Sequence, residues 1–239
     1  MSRGSRRPGG YVVATGRTRV KVCCIQSVEE AELAVQSGAD ALGLVGEMPS
    51  GPGPISDDAI AAIAEATPPG VSTFLLTSRT EPDAVLEHVR ASGVNVVQLV
   101  DEVPTATYTA LREACPAVRI VQVIHVEDET ALAVASSLRA HVDAVLLDSG
   151  RRSAPVKELG GTGRTHDWSL SSRIVHELSI PVFLAGGLSA SNVHQAISTV
   201  LPFGVDLCSG VRTAGVLDSL ELERFFEEVR RADQSLYRG

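Results

Sequence analysis

The chain has 239 residues, of which 44% are hydrophobic but only 4% aromatic, so Ala, Val, Leu and Ile must fill its core. This length corresponds to one or two domains, and this hydrophobicity is not typical of a disordered chain. Acidic residues outnumber basic ones by 29 to 21, giving a formal charge of -8. That balance argues against nucleic-acid binding, which needs a basic surface.

The first 18 residues differ in composition from the rest, being rich in Arg, Gly and Ser. They are predicted to form a flexible basic arm, with a partner-binding arm as the alternative, ahead of a single domain over residues 19–239. The apolar patch at residues 11–14 is too short for a signal peptide, and no run approaches the ~20 apolar residues of a membrane helix. The four cysteines lack the spacing of a disulfide framework. We therefore expect a reduced, cytoplasmic protein without membrane contact.

From residue 19 onward, short β-branched runs alternate with Ala-, Leu- and Glu-rich segments of helical spacing. The predicted strands are residues 19–25, 40–45, 71–76, 95–100, 119–125, 142–148, 181–184 and 204–209. Predicted helices begin near Ser27, Ser56, Glu81, Thr105, Asp128, Trp168, Ser189 and Asp218. Ser27 and Ser56 each stand just before acidic residues, as helix N-caps do, while Gly38 and Gly93 follow helices as C-caps do.

Eight strands alternating with eight helices predict an α/β fold, the (β/α)8 or TIM barrel. The main alternative is a doubly wound sheet, but that fold usually carries a Gly-rich fingerprint after its first strand, and residues 23–27 contain no glycine. The irregular stretches 46–55 and 149–167 both follow strands. In a barrel they would therefore lie on the C-terminal face, where active sites form.

Glycine clusters follow the last three predicted strands. Glycines let backbone N–H groups approach an anion closely, and the loops after strands seven and eight are the usual phosphate site of such barrels. A phosphate-binding site is therefore predicted at Gly161, Gly163, Gly186, Gly187, Ser209 and Gly210.

Two residues at strand ends are candidates for acid–base chemistry. Cys23 lies near the end of the first strand and is either a catalytic thiol or a small buried hydrophobe. Strand alternation predicts that Cys23 and Cys24 point to opposite faces, so that only one of them faces the barrel axis. Asp148 ends the sixth strand and is either a turn-forming cap or an acid at the active rim. The histidines form no metal-ligand pattern, so no metal site is predicted.

Several motifs, taken with their order and spacing, resemble those of the phosphoribosylanthranilate isomerase family of tryptophan biosynthesis. They are Lys21-Val22-Cys23, Leu147-Asp148-Ser149, Gly160-Gly161-Thr162-Gly163, Asp167-Trp168, Phe183-Leu184-Ala185-Gly186-Gly187-Leu188, Asn192-Val193, Val205-Asp206 and Ser209-Gly210-Val211. The resemblance runs from about residue 19 to residue 230 and is strongest after residue 140.

The resemblance implies an Amadori rearrangement, an aldose–ketose isomerisation that needs neither metal nor cofactor. By motif, Asp148 would be the general acid that opens the ribose ring, and Cys23 the general base that takes the C2' proton. The glycine loops would hold the phosphate of a small phosphorylated sugar. A homodimer is left open.

The sequence departs from the family pattern around the first half of the rim, which makes it a divergent member. Cys24 stands where the family usually has Gly, Gln26 where it has Thr, and Val100-Asp101 where it has His-Gly. Residues 48–54 lack the Arg that meets the anthranilate carboxylate in the family, and Arg212 replaces an acid.

The missing cation leaves the substrate open. Substitute contacts are predicted from Lys21, Arg164 and Arg212, with Arg151 and Arg152 as further candidates. The alternatives are an isomerase of a different phosphosugar amine or aldose phosphate, and a non-catalytic barrel that binds a phosphorylated ligand. A Cys23–Cys24 redox pair is disfavoured, because neighbouring strand residues point apart.

Overall fold

The computed structural model describes residues 17–150 and 167–237, and within them eight parallel strands close into a barrel. The strands are β1 (Arg19–Val22), β2 (Ala41–Val45), β3 (Ser72–Thr77), β4 (Val96–Leu99), β5 (Arg119–His125), β6 (Ala144–Asp148), β7 (Val182–Leu184) and β8 (Gly204–Leu207). Each strand pairs with the next along the chain, and β8 pairs with β1, where Leu207 stands opposite Val22. Every predicted strand overlaps one of these strands.

Helices cover the outside of this barrel. In the described residues they are α1 (Val28–Ser37), α2 (Asp57–Ala66), α3 (Pro82–Ser92), α4 (Thr105–Ala114), α5 (Thr130–Leu138), α6 (Trp168–Glu177), α7 (Val193–Val200) and α8 (Ser219–Tyr237). A short antiparallel hairpin of β9 (Arg212–Thr213) and β10 (Val216–Leu217) lies between β8 and α8. The prediction of a (β/α)8 barrel is confirmed.

Local capping explains where several helices begin and end. The Ser27 hydroxyl accepts from the Glu30 N–H at 3.3 Å, and the Ser56 hydroxyl accepts from the Ala59 N–H at 3.2 Å, which satisfies donors that the first turn leaves unpaired. Gly38 and Gly93 follow α1 and α3 in the left-handed conformation, with φ of 106° and 64°. These four signals were readable in the sequence because each depends only on nearby residues.

The core has two layers, one between strands and helices and one inside the barrel. The inner layer is closed at the N-terminal end of the strands by three rings. Phe183 packs edge-on against Phe74 and Phe203, with ring centroids 5.9 Å and 5.4 Å apart. None of these rings lines the cavity at the opposite end of the barrel, so the barrel is filled below and open above.

Residues 1–16 of the predicted arm lie outside the described residues. The last two residues of that arm contact the barrel domain. Arg17 forms an ion pair with Asp40, and Thr18 is buried, its N–H and hydroxyl donating to the Asp233 carboxylate of α8 at 2.7–3.0 Å. Contacts with the barrel therefore begin at least two residues before the predicted boundary. Within the described residues, no helix combines the length and the apolar character needed to cross a bilayer.

Candidate active site

A cavity opens at the C-terminal ends of the strands. Cys23, which follows β1, and Asp148, which ends β6, both line it. Both residues are mostly buried, with 6% and 7% of their surface exposed. The thiol and the carboxyl that the sequence singled out therefore face one common space.

Cys24 also lines this cavity, contrary to the expectation that only one of the two cysteines would. Alternation applies only within a strand, and β1 ends at Val22. Cys24 then takes a φ of 61°, in the left-handed region that a residue with a side chain seldom adopts. This is a conformation that glycine adopts without strain, which fits the Gly usual at this position in the family.

Lys21 is buried below the cavity, and its ammonium lies 2.8 Å from the Asp206 carboxylate. Gly43 on β2 makes room for it: a Cβ there would stand 2.9 Å from Lys21 Nζ and 2.6 Å from Cys23 Sγ. The Lys21 ammonium and the Cys23 thiol therefore lie next to each other, both packed against Gly43 of β2, which has no side chain. Burial lowers the pKa of Lys21, but Asp206 and Cys23 outweigh it and raise that pKa above its usual range. Lys21 is thus a cation beside the Cys23 sulfur.

Asp148 is held at the rim by its own loop and by the neighbouring strand. Its carboxylate accepts from the Ser149 N–H at 2.7 Å, and its carbonyl accepts from the Val126 N–H at 2.9 Å. The carboxylate also lies close enough to that of Asp206 to interact with it electrostatically. Two carboxyl groups, one on β6 and one on β8, thus line the same cavity near each other.

The loops after β7 and β8 form a glycine-lined wall of the cavity. Gly186, Gly187 and Ser209 line it, and both glycines have a positive φ, of 90° and 62°. A Cβ on Gly186 would stand 2.7 Å from the Ser149 hydroxyl, so this loop can approach the loop after β6 only without a side chain. The wall contains three of the residues predicted to bind phosphate, and that role stays a prediction.

Gly210 has a different place from the other predicted phosphate residues. It pairs with Ser189 in a bridge that joins the loops after β7 and β8, and a Cβ there would meet the Leu188 carbonyl oxygen at 2.0 Å. Gly210 does not line the cavity. Its place in the structure is therefore to let the two loops meet.

The basic residues predicted to contact the substrate fall into two groups. Some have other partners in the structure, and the rest lie outside the described residues. The Arg212 guanidinium forms a two-pronged ion pair with Glu30, at 2.9 and 2.8 Å, and also donates to the Cys24 and Gly215 carbonyls. Lys21 is fully buried and does not line the cavity. The other predicted site residues lie outside the described residues: Arg151, Arg152, Gly161, Gly163 and Arg164.

Gln98 and Cys208 are among the cavity residues that were not found from the sequence. Gln98 on β4 is 3% exposed, and its Oε1 has no hydrogen-bond partner among the residues that the structure describes. Its inward position follows from strand alternation, because Val97 and Leu99 pack on the helix side. Cys208, after β8, is the other, and nothing in the spacing of the cysteines marks it. Among the described residues that line the cavity there is no Arg, Lys or His.

Comparisons with known proteins agree with this architecture. Residues 20–228 match the family model described as N-(5'-phosphoribosyl)anthranilate (PRA) isomerase. The chain is 36% identical over 228 residues to the N-(5'-phosphoribosyl)anthranilate isomerase of Methanosarcina acetivorans, covering 90% of this chain and 94% of that protein. The crystal structure of phosphoribosyl anthranilate isomerase from Thermotoga maritima aligns with a TM-score of 0.76 at 31% identity, covering 90% and 99% of the two chains. Another, in complex with reduced 1-(o-carboxyphenylamino)-1-deoxyribulose 5-phosphate, aligns at 0.73 with 29% identity over the same shares.

The closed barrel, with its cavity at the C-terminal ends of the strands, defines the class of the protein as a (β/α)8-barrel enzyme. The family model covers most of the chain and the relatives match it over nearly their whole length. The chain therefore belongs to the N-(5'-phosphoribosyl)anthranilate isomerase family, whose members are aldose–ketose isomerases of tryptophan biosynthesis.

Proposed function

We propose that the protein converts N-(5'-phosphoribosyl)anthranilate to 1-(o-carboxyphenylamino)-1-deoxyribulose 5-phosphate, with Asp148 as general acid and Cys23 as general base. The observation that carries the proposal is the presence of both groups in one cavity, next to a wall of glycine loops. The complex of a related isomerase with a reduced form of that product supports the choice of substrate.

In the first step, Asp148 gives its proton to the ribose ring oxygen. The bond between C1' and that oxygen breaks, and the nitrogen lone pair forms a C1'=N bond, which yields an open-chain Schiff base. The loop at Ser149 fixes the Asp148 carboxyl at the rim, so the acid is aimed into the cavity. General acid catalysis of this kind typically contributes ~10²–10⁴-fold.

In the second step, Cys23 takes the proton from C2', the electrons of the C–H bond form a C1'=C2' bond, and the π electrons of the C1'=N bond return to nitrogen, which gives an enolamine. Proton transfer to C1' then leaves the ketone at C2'. The Lys21 ammonium adjoins the Cys23 sulfur and attracts negative charge that forms there. In this proposal Lys21 positions charge for Cys23 and does not contact the substrate.

The substrate phosphate is assigned to the loops after β7 and β8. Gly186 and Gly187 have a positive φ and no side chain, so a phosphate can approach the backbone N–H groups of this loop closely. Ser209 adds a hydroxyl to the same wall. Gly161 and Gly163 belong to this proposal on the sequence motif alone. The same holds for Arg164 as a partner of the anthranilate carboxylate.

The test is a fluorescence assay of purified protein with phosphoribosylanthranilate, whose fluorescence disappears on isomerisation. We expect turnover by the wild type and losses of ~10²–10⁴-fold in kcat for Cys23→Ala and for Asp148→Asn, with unchanged melting temperatures. Cys115→Ala is the matched control, because Cys115 lies on the helix side of the sheet and is outside the cavity.

No turnover at ample enzyme would remove this substrate from the proposal. Activity on a different phosphorylated aminoaldose would then favour the alternative isomerase. Ligand-induced thermal stabilisation without any turnover would favour a binding protein. The homodimer stays a prediction, to be checked by light scattering during size-exclusion chromatography.

A further inference from the structure

Three of the four cysteines meet at one side of the cavity. Cys23 and Cys24 follow β1, Cys208 follows β8, and the Cys23 N–H donates to the Leu207 carbonyl at 2.8 Å across the two strands. All three line the cavity, and Cys208 packs against the inner cluster that contains the other two. Val22 pairs with Leu207, so Cys208 lies opposite Cys23 in the register and Cys24 lies one residue further along the chain. For strands about 4.8 Å apart with a rise of about 3.3 Å per residue, that offset gives a diagonal of about 6 Å, which is within the Cα separation of about 4.4–6.8 Å that a disulfide spans.

The left-handed backbone conformation of Cys24 brings its side chain to the same side of the cavity as that of Cys208. With strand geometry, residue 24 would point to the helix side, away from the cavity. Instead its φ of 61° brings its side chain to the cavity wall that Cys208 also lines, where its thiol donates to the Pro52 carbonyl at 3.7 Å. A side chain held in a strained conformation beside an active site is a recurrent sign of function.

The two thiols have different surroundings. Interaction with the Cys24 thiol lowers the pKa of Cys208, burial opposes this, and the Arg212 cation lowers it further. Interaction with the Cys208 and Cys23 thiols, together with burial, raises the pKa of Cys24. Cys208 is also only partly buried, so a small reagent in the cavity can reach it. This asymmetry suits a thiolate that reacts first and a second thiol that resolves the product.

We propose that Cys24 and Cys208 form a reversible disulfide site in the cavity wall, with a small hydroperoxide as the oxidant. None of the residues in this pair has a role in the proposed proton transfers. The site is distinct from a Cys23–Cys24 pair, because it joins two strands and leaves the Cys23 thiol free.

The chemistry balances in two steps. The Cys208 thiolate attacks one oxygen of the hydroperoxide, the O–O bond breaks, and a sulfenic acid and hydroxide form when the oxidant is hydrogen peroxide. The Cys24 sulfur then attacks the Cys208 sulfur, the S–O bond breaks, and the Cys24 proton leaves with the departing hydroxide as water. The proton that Cys208 lost on ionisation combines with the first hydroxide, so two thiols are oxidised to one disulfide and one hydrogen peroxide is reduced to two waters. A dithiol reductant reverses the bond by exchange.

The disulfide would sit one residue before Ser209, in the wall assigned to the substrate phosphate. Closing it would draw the loop after β8 toward β1, and we expect turnover to fall while the bond is present. This consequence rests on the proposed function, whereas formation of the bond does not.

The experiment treats the full chain with stoichiometric hydrogen peroxide, blocks remaining thiols with iodoacetamide, and maps tryptic peptides by mass spectrometry without reduction. Trypsin separates the cysteines into peptides 22–79, 113–119 and 174–212. We expect a cross-link between 22–79 and 174–212 with loss of two hydrogen atoms, reversed by dithiothreitol. Peptide 113–119, which holds Cys115, should stay alkylated.

Variants assign the cross-link within the first peptide. Cys24→Gly should abolish it, and glycine accepts the φ of this position, so the fold is kept. Cys23→Ser should retain it. Peroxide should remove most of the wild-type turnover, with recovery in dithiothreitol, but should leave Cys24→Gly largely active.

A cross-link that persists in Cys24→Gly, or peroxide adducts on Cys208 with no cross-link, would overturn the disulfide site. If the wild type shows no isomerase activity, the proposed function fails, yet peptide mapping still decides the disulfide. A cross-link without any effect on turnover would confirm the site and overturn the proposed effect on catalysis.

Discussion

The Lys21 ammonium and the Asp206 carboxylate lie 2.8 Å apart, in a pair that places a fixed positive charge beside the Cys23 thiol. The Lys21 side chain is fully buried and the Asp206 side chain is 9% exposed, so both are shielded from solvent. The ion pair thus contributes both to the stability of the barrel interior and to the electrostatics around Cys23. Mutation can separate these two contributions.

Lys21→Met should lower both stability and turnover. Removing one partner leaves the Asp206 charge buried and unpaired, which costs about 3–5 kcal/mol. The double variant Lys21→Met/Asp206→Leu removes both charges and should recover much of that stability in denaturant titrations. Its kcat should remain low, since Cys23 still lacks its cation. Wild-type turnover in the double variant would show that Lys21 only supports the fold.

Gly186→Ala should raise the KM for the phosphorylated substrate. The added methyl group meets Ser149 at 2.7 Å at a φ of 90°, so the loops after β6 and β7 have to move apart. Gly70→Ala is the matched control: its φ is 97°, but nothing lies within 4 Å of the new methyl group, and it precedes β3 at the opposite end of the barrel. Steady-state kinetics should show the KM increase only for Gly186→Ala; an equal increase in both would contradict the assignment of the wall.

Gln98→Leu and Gln122→Leu should behave in opposite ways, although both glutamines are 3% exposed. The Gln122 amide bonds Tyr108 and three backbone carbonyls, so its loss should destabilise the protein by about 1–3 kcal/mol while kcat/KM is kept. The Gln98 Oε1 lacks a partner in the described part of the chain, so Gln98→Leu should cost little stability. If its oxygen accepts from a substrate hydroxyl, kcat/KM should fall; unchanged kinetics would remove it from the site.

Glu30→Gln should show a pH-dependent loss of stability. Burial raises the pKa of Glu30, but bonds from Arg212, Gln26 and Leu217 outweigh it and lower that pKa. Because the folded-state pKa lies below the unfolded value of about 4.3, the contribution is present above that pH and is lost as the pH falls through the folded-state pKa. Thermal melts should therefore separate the variant from wild type near neutral pH and converge in acid. A constant difference across pH would contradict this.

The barrel could be predicted from the sequence because its strands, caps and glycines are local signals. The prediction failed where a contact between residues far apart in the chain determines the position of a side chain. Predicted helix seven began at Ser189, whereas α7 begins at Val193, because Asn192 accepts from the Ser189 N–H at 2.9 Å and holds residues 189–192 as a turn. Arg212 was assigned to the substrate, yet its partner Glu30 lies 182 positions away. Pattern alone could not reveal that pairing.

Cys24 illustrates the same limit within the site. Alternation placed it on the far side of the sheet from Cys23, and nothing in the letters Cys-Cys indicates a left-handed backbone. The family's glycine at this position was the one available signal, and it points to backbone conformation, not to side-chain chemistry. The acid and base candidates were found because each ends a strand, and strand ends meet at one rim in a barrel.

The three phenylalanine rings, packed edge-on, close the lower end of the barrel, so that among the described residues the cavity opens at the C-terminal ends of the strands. With the lower end filled by Phe74, Phe183 and Phe203, substrate and product share this opening as far as the described residues define the cavity. The ketose must therefore leave before the next aldose binds, so accumulated product should act as a competitive inhibitor. Access to this opening would then control turnover.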